Sequence, residues 1–123
     1  MNINLPVIYG IENMDVFRNM IRTNPGVIVL KFGAEWCGPC RKAKPIIAQQ
    51  VGTLGPRIQY IEIDVDESIE IYSYLKNKRQ IAGIPCMLAY HRGNDTYLPN
   101  DIVSGADADS IVKFFDRCKK AAY

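Results

Sequence analysis

Histidine and tryptophan occur only once each in this 123-residue sequence, as His91 and Trp36. A lone histidine beside a turn, with no second histidine or matching ligand cluster, reads as a solvated side chain, so no metal is expected. Long apolar runs are also missing, and none approaches the ~20 residues needed to span a bilayer. The opening stretch MNINLPVIYGIENMD lacks the basic start and apolar core of a secretory leader. The expectation is a soluble, intracellular, cytoplasmic chain with no membrane partner. A net charge of +2, with acidic and basic residues interleaved, leaves no basic stripe for a phosphate backbone, and nucleic acid is not an implied partner. Repeats, low-complexity tracts and linkers are absent too. The length suits one core, so residues 1–123 are read as a single, monomeric domain.

What is present is an ordinary globular composition, 48% apolar and 23% charged. Four cysteines, Cys37, Cys40, Cys86 and Cys118, are too sparse for a disulfide framework in a chain with a core of this size. Only the spacing of Cys37 and Cys40 stands out. In a reducing compartment such a pair is either redox-active or metal-binding, and a metal site would lack its second ligand pair.

Strand and helix signals alternate along the chain. Val7 to Tyr9 reads as a short strand, and Asn13 to Ile21 as a helix with Val16, Met20 and Ile21 at helical spacing. Val27 to Phe32, a β-branched run after Pro25-Gly26, has the pattern of a central strand buried on both faces. Gly38 to about Val51 reads as a helix kinked at Pro45. Ile58 to Val65 reads as a strand, with Asp66 as N-cap of a helix from Glu67 to about Lys78. Met87 to Tyr90 and Tyr97 to Val103 read as an antiparallel pair around the turn-rich HRGND. A last helix starts near Asp107 or Asp109 and carries Ile111, Phe114, Phe115 and Cys118 on one face. This order implies an α/β fold, a mixed sheet with helices on both faces.

The cysteine pair then falls at the C-terminal end of a strand and the start of a helix. Unpaired amides and the positive end of the helix dipole favour a thiolate there, which selects Cys37 as the nucleophile. Cys40, one turn on and more buried, is placed to resolve the mixed disulfide. Gly38 permits a tight turn and Pro39 suits a first helical turn; together they tune geometry and redox poise.

The segment AEWCGPC followed by Pro45, together with GIPC at Gly83 to Cys86 and Gly105 near the end of the last strand, resembles the thioredoxin family over nearly the whole chain. The resemblance implies the thioredoxin fold, a mixed sheet of four or five strands flanked by four helices. It implies reduction of protein disulfides with no bound cofactor, and a flavin-dependent thioredoxin reductase as electron donor. It also implies a cis Ile84-Pro85 bond facing the cysteines. A shallow apolar groove for an extended substrate would then be formed by Trp36, Gly38, Pro39, Ile84, Pro85 and Gly105. The alternative function is a partner-binding module of the same fold with specialised or weak redox activity.

Four features depart from the family pattern, the first a pair of residues. Lys31 stands where a buried aspartate is common, and Glu62 where a lysine is frequent, so a charge pair of reversed sign is expected between them. The pair is either structural, or tunes catalysis with Glu62 as base for Cys40 and Lys31 stabilising thiolate. Gly33 replaces a frequent aromatic residue, and either a looser loop or open room beside it is expected. Cys86 replaces threonine and is either a small core residue or a second partner for Cys37. The connection HRGNDTYLPND is longer than a tight hairpin.

Overall fold

Every residue from Val27 to Gly33 is buried, and that stretch forms the middle strand of the molecule. A strand covered on both faces needs apolar side chains pointing both ways, which this β-branched run supplies except at Lys31 and Gly33. The computed structural model describes residues 3–123. Its elements in chain order are β1 (Ile8–Tyr9), α1 (Met14–Arg22), β2 (Val27–Gly33), α2 (Gly38–Val51), β3 (Ile58–Asp64), α3 (Ile69–Asn77), β4 (Cys86–His91), β5 (Asp101–Ser104) and α4 (Ala108–Ala122).

The five strands lie in the order β1-β3-β2-β4-β5. β1 and β2 run parallel to β3, whereas β4 is antiparallel to β2 and to β5. This is the mixed sheet with four helices that the sequence predicts. Side chains alternate between the two faces. Ile28, Leu30, Phe32, Ile61, Ile63, Leu88 and Tyr90 join Phe17 and Ile21 of α1 and Ile71 and Leu75 of α3 in one core. Val27, Val29, Ile58, Tyr60, Met87 and Ala89 join Ala43 and Ile47 of α2 and Ile111, Phe114 and Phe115 of α4 in the other.

Helix ends follow local chemistry. Asn13 caps α1 by accepting from the Val16 amide at 3.0 Å, and Asp107 caps α4 by accepting from the Ser110 amide at 2.9 Å. Hydrogen bonds from the Ser110 hydroxyl and amide hold the Asp107 carboxyl below its usual range. α2 continues through Pro45, which lacks the N–H that would bond the Arg41 carbonyl.

Three sequence expectations need correction. Asp66 does not cap α3: that helix starts at Ile69, with Ser68 at the cap position. The Ser68 hydroxyl oxygen accepts from the Ile11 amide instead, at 3.1 Å. The last strand is shorter than Tyr97 to Val103 and begins at Asp101. Asn94 accounts for this, because its side chain donates to the Leu98 carbonyl and to Asn100 Oδ1, each at 2.8 Å, closing a loop where a ladder would run. β4 extends one residue beyond Met87 to Tyr90 at each end, to Cys86 and His91. No helix among the described residues is long and apolar enough to cross a membrane.

Candidate functional site

Cys37 is the N-cap of α2, and its sulfur accepts from the Cys40 amide at 3.2 Å. The two cysteines form a disulfide, with Cα atoms 5.2 Å apart. Both are nearly covered, Cys37 at 6% exposure and Cys40 at 4%. The chain reaches this geometry because β2 ends at Gly33, the Cys37 amide donates to the Ala34 carbonyl at 3.2 Å, and Gly38-Pro39 opens the helix directly. On reduction, the amide and helix end that already face Cys37 Sγ favour negative charge on that sulfur.

The expected groove residues gather at this rim. Ile84-Pro85 is cis, and the Ile84 carbonyl oxygen lies 3.8 Å from Cys37 Sγ. The Gly105 amide donates to the Pro85 carbonyl at 2.9 Å. Its φ of +92° is the reason glycine stands there, since a Cβ would meet nothing within 4 Å. Trp36 is 66% exposed. Its indole N–H donates to an Asp66 carboxylate oxygen at 2.7 Å. Asp66, read from sequence as a helix cap, therefore anchors the one tryptophan beside the disulfide; acidic residues in a loop after a strand carry no pattern that would have shown this. Gly38 and Pro39 lie exposed on the same rim.

Beneath the disulfide, Lys31 and Glu62 are direct neighbours in the parallel β2–β3 register. Their side chains form an ion pair, Nζ to Oε1 at 2.9 Å, with Lys31 8% exposed. The other Glu62 oxygen accepts from the Tyr60 hydroxyl. Burial first, and the Glu62 charge second, push the Tyr60 hydroxyl far up. Tyr60 was missed in the sequence, although the period-two spacing of Tyr60 and Glu62 puts both on one strand face.

Gly33 contributes room. A Cβ built on it would lie 2.8 Å from Lys31 Nζ and 3.5 Å from Cys40 Sγ. Of the two expectations for the lost ring, the structure shows room beside the loop, which the end of the lysine side chain occupies.

The remaining cysteines lie one in each core. Cys86 pairs in register with Phe32 on the α1/α3 face, opposite α2, and accepts from the Ser104 hydroxyl at 3.6 Å. Burial pushes its thiol up. Cys118 packs under α4, its thiol pushed up to about 12 by burial and the nearby Asp101 charge.

A buried disulfide at a helix start, flanked by an exposed aromatic and by the carbonyl that precedes a cis-proline, is suited to thiol–disulfide exchange with an extended polypeptide. Known proteins point the same way. The Thioredoxin family profile matches residues 9–117. A thioredoxin-like protein of Synechocystis sp. is 30% identical over 99 residues, covering 80% of this chain and 90% of its own. The crystal structure of Malassezia sympodialis thioredoxin superposes with a TM-score of 0.71 at 25% identity, covering 94% of this chain and 95% of that one. The oxidised mitochondrial thioredoxin 3 of Saccharomyces cerevisiae gives a TM-score of 0.72 at 25% identity, over 89% and 94% of the two chains. Profile, relatives and site geometry agree: the chain belongs to the thioredoxin family and is a dithiol–disulfide oxidoreductase.

Proposed function

We propose that the chain reduces disulfides in other proteins, with Cys37 attacking and Cys40 resolving. The Cys37 thiolate attacks one sulfur of the substrate disulfide, and the other substrate sulfur leaves as a thiolate that takes a proton. The Cys40 thiolate then attacks Cys37 Sγ, expelling the second substrate sulfur. Two electrons and two protons have passed to the substrate, and the Cys37–Cys40 disulfide remains. The observation that carries this assignment is the bond from the Cys40 amide to Cys37 Sγ at the helix start, which favours charge on the first sulfur.

In this reading Trp36, Ile84, Pro85 and Gly105 hold an extended substrate segment, and Gly38 and Pro39 set the reach of the two sulfurs. Lys31 and Glu62 tune the site from below. A flavin-dependent thioredoxin reductase returns the electrons, and the working form is a cytoplasmic monomer of one domain.

Dithiothreitol-driven reduction of insulin disulfides tests the assignment. Cys37→Ser is expected to fall to the uncatalysed rate. Cys40→Ser is expected to accumulate a mixed disulfide on Cys37, visible by mass spectrometry. Equal rates for wild type and Cys37→Ser would defeat the proposal.

A further inference from the structure

One buried ammonium lies beside the inner sulfur. Lys31 is the sole Lys or Arg among the buried residues described, and its Nζ and Cys40 Sγ both lie close to the point where a Gly33 Cβ would stand. Their distances from that point, 2.8 and 3.5 Å, hold the two atoms no further apart than about 6.3 Å. An opposite charge within ~4–6 Å favours the ionised form of a group. We propose that the Lys31 ammonium, admitted by the missing side chain at Gly33 and held by Glu62 and Tyr60, is the counter-charge of the Cys40 thiolate, so that Cys40 is activated by charge attraction instead of by a neighbouring base.

The hydrogen bonds separate these two modes of activation. A base for Cys40 needs an oxygen directed at the sulfur, whereas one Glu62 oxygen is directed at the Lys31 ammonium and the other at the Tyr60 hydroxyl. Glu62 is thus a positioning residue for the lysine, and Tyr60 for Glu62. Other groups on this face do not replace Lys31. Asp64, in register with Gly33, has one carboxylate oxygen taken by the Asp66 amide at 2.8 Å, and its negative charge would oppose a thiolate. β4 presents uncharged Met87 and Ala89, and α4 presents Ile111, Phe114, Phe115 and the neutral thiol of Cys118. From α2 itself comes Cys37, whose own negative charge in the reduced state would also oppose ionisation of Cys40.

The inference rests on Cys40 being the resolving thiol, and its test is read without turnover, so its failure and failure of the insulin assay are separate results. In a Cys37→Ser background labelled with 13C at cysteine Cβ, the Cys40 shift is followed against pH under reducing conditions. Lys31→Met is expected to raise the Cys40 midpoint by a pH unit or more, about a tenfold loss of thiolate at neutral pH. Gly33→Ala, which keeps the charge but drives Nζ away, is expected to raise it by less. Glu62→Gln removes a negative charge while keeping an oxygen that can accept from the ammonium, and is expected to lower the midpoint or leave it. An unmoved midpoint in Lys31→Met would overturn the proposal. Should that variant not fold, an unmoved midpoint in folded Gly33→Ala would do the same.

Discussion

The two faces of the sheet are built from the same strands yet differ at one end. On the α1/α3 face, Leu30, Phe32, Ile61 and Ile63 carry the apolar pattern up to the active-site rim. On the α2/α4 face the pattern starts the same way, with Val27, Val29 and Ile58, but ends in Lys31, Gly33, Tyr60 and Glu62 beneath Cys40. One face is therefore a store of stability, and the other gives up apolar packing near the rim to place charge under a sulfur. Functional chemistry in this fold shows as a local break in a strand's alternation, on the face that the reactive helix covers.

The largest effect expected from this contrast is on the apolar face. Phe32 is fully buried and packs against Tyr72, ring centroids 6.1 Å apart. Phe32→Ala should cost ~3–5 kcal/mol in urea unfolding. The Cys40 midpoint should hardly move, because the ring lies on the far side of the sheet. A cost below about 1 kcal/mol would mean that the apolar face is not the store of stability described here.

Next in size is an asymmetry within the ion pair. Glu62→Gln leaves a buried ammonium without its counter-charge and should cost ~1–3 kcal/mol, less than a fully buried pair because the Glu62 side chain is 35% exposed. Lys31→Met replaces the cation with an apolar chain of similar length and leaves a carboxylate that Tyr60 and water still serve. It should cost under ~1 kcal/mol, or stabilise. Denaturant midpoints of the two variants compare them directly, and the reverse order would show that the lysine is held for stability.

The order of elements was legible in the sequence because apolar periodicity changes cleanly from two to 3.6 along the chain, and the cysteine pair with Ile84-Pro85 and Gly105 marked the rim. What was not legible depended on contacts between segments far apart in sequence. Asp66 looked like a cap because it precedes a helix, but its partner Trp36 arrives from another loop. Tyr97 looked like strand, yet its carbonyl accepts from the Tyr90 hydroxyl and its ring packs edge-on to Tyr74, which fixes it as loop. Gly33 looked like a loss, since a single position cannot show what fills the space above it. The Lys31–Glu62 pair was foreseen, but not which member adjoins Cys40, and that depends on the missing Cβ.

Each face also hides one thiol, and here the faces should behave alike. Cys86 and Cys118 are both pushed up by burial, the latter to about 12. A thiol is neutral when protonated, so a raised value in the fold means that the folded state keeps its proton longer than the unfolded chain. The stability this gives is complete below the ordinary cysteine value of 9.0 and is lost as pH climbs toward about 12. Unfolding measured between those limits should therefore show falling stability, with Cys118 alone contributing a slope of about 1.4 kcal/mol per pH unit. Cys118→Ala should flatten the curve by that amount, and an unchanged slope would mean that the thiol ionises in the fold as readily as outside it.

The smallest effect concerns the far end of the charged cluster. Tyr60→Phe keeps the ring in its core and removes only the hydroxyl that donates to Glu62. A hydrogen bond to a charged group contributes ~1.5–3 kcal/mol when both partners are buried, but water can reach a half-exposed carboxylate and offset part of the loss, so about 1 kcal/mol is expected in urea unfolding. The informative quantity is the coupling between sites. If Tyr60 steadies Glu62, which steadies Lys31, then the cost of Tyr60→Phe should shrink in a Lys31→Met background, where the carboxylate no longer has a cation to orient. A double-mutant cycle measures this directly. Additive costs would cut Tyr60 out of the cluster and leave Glu62 alone to position the ammonium under Cys40.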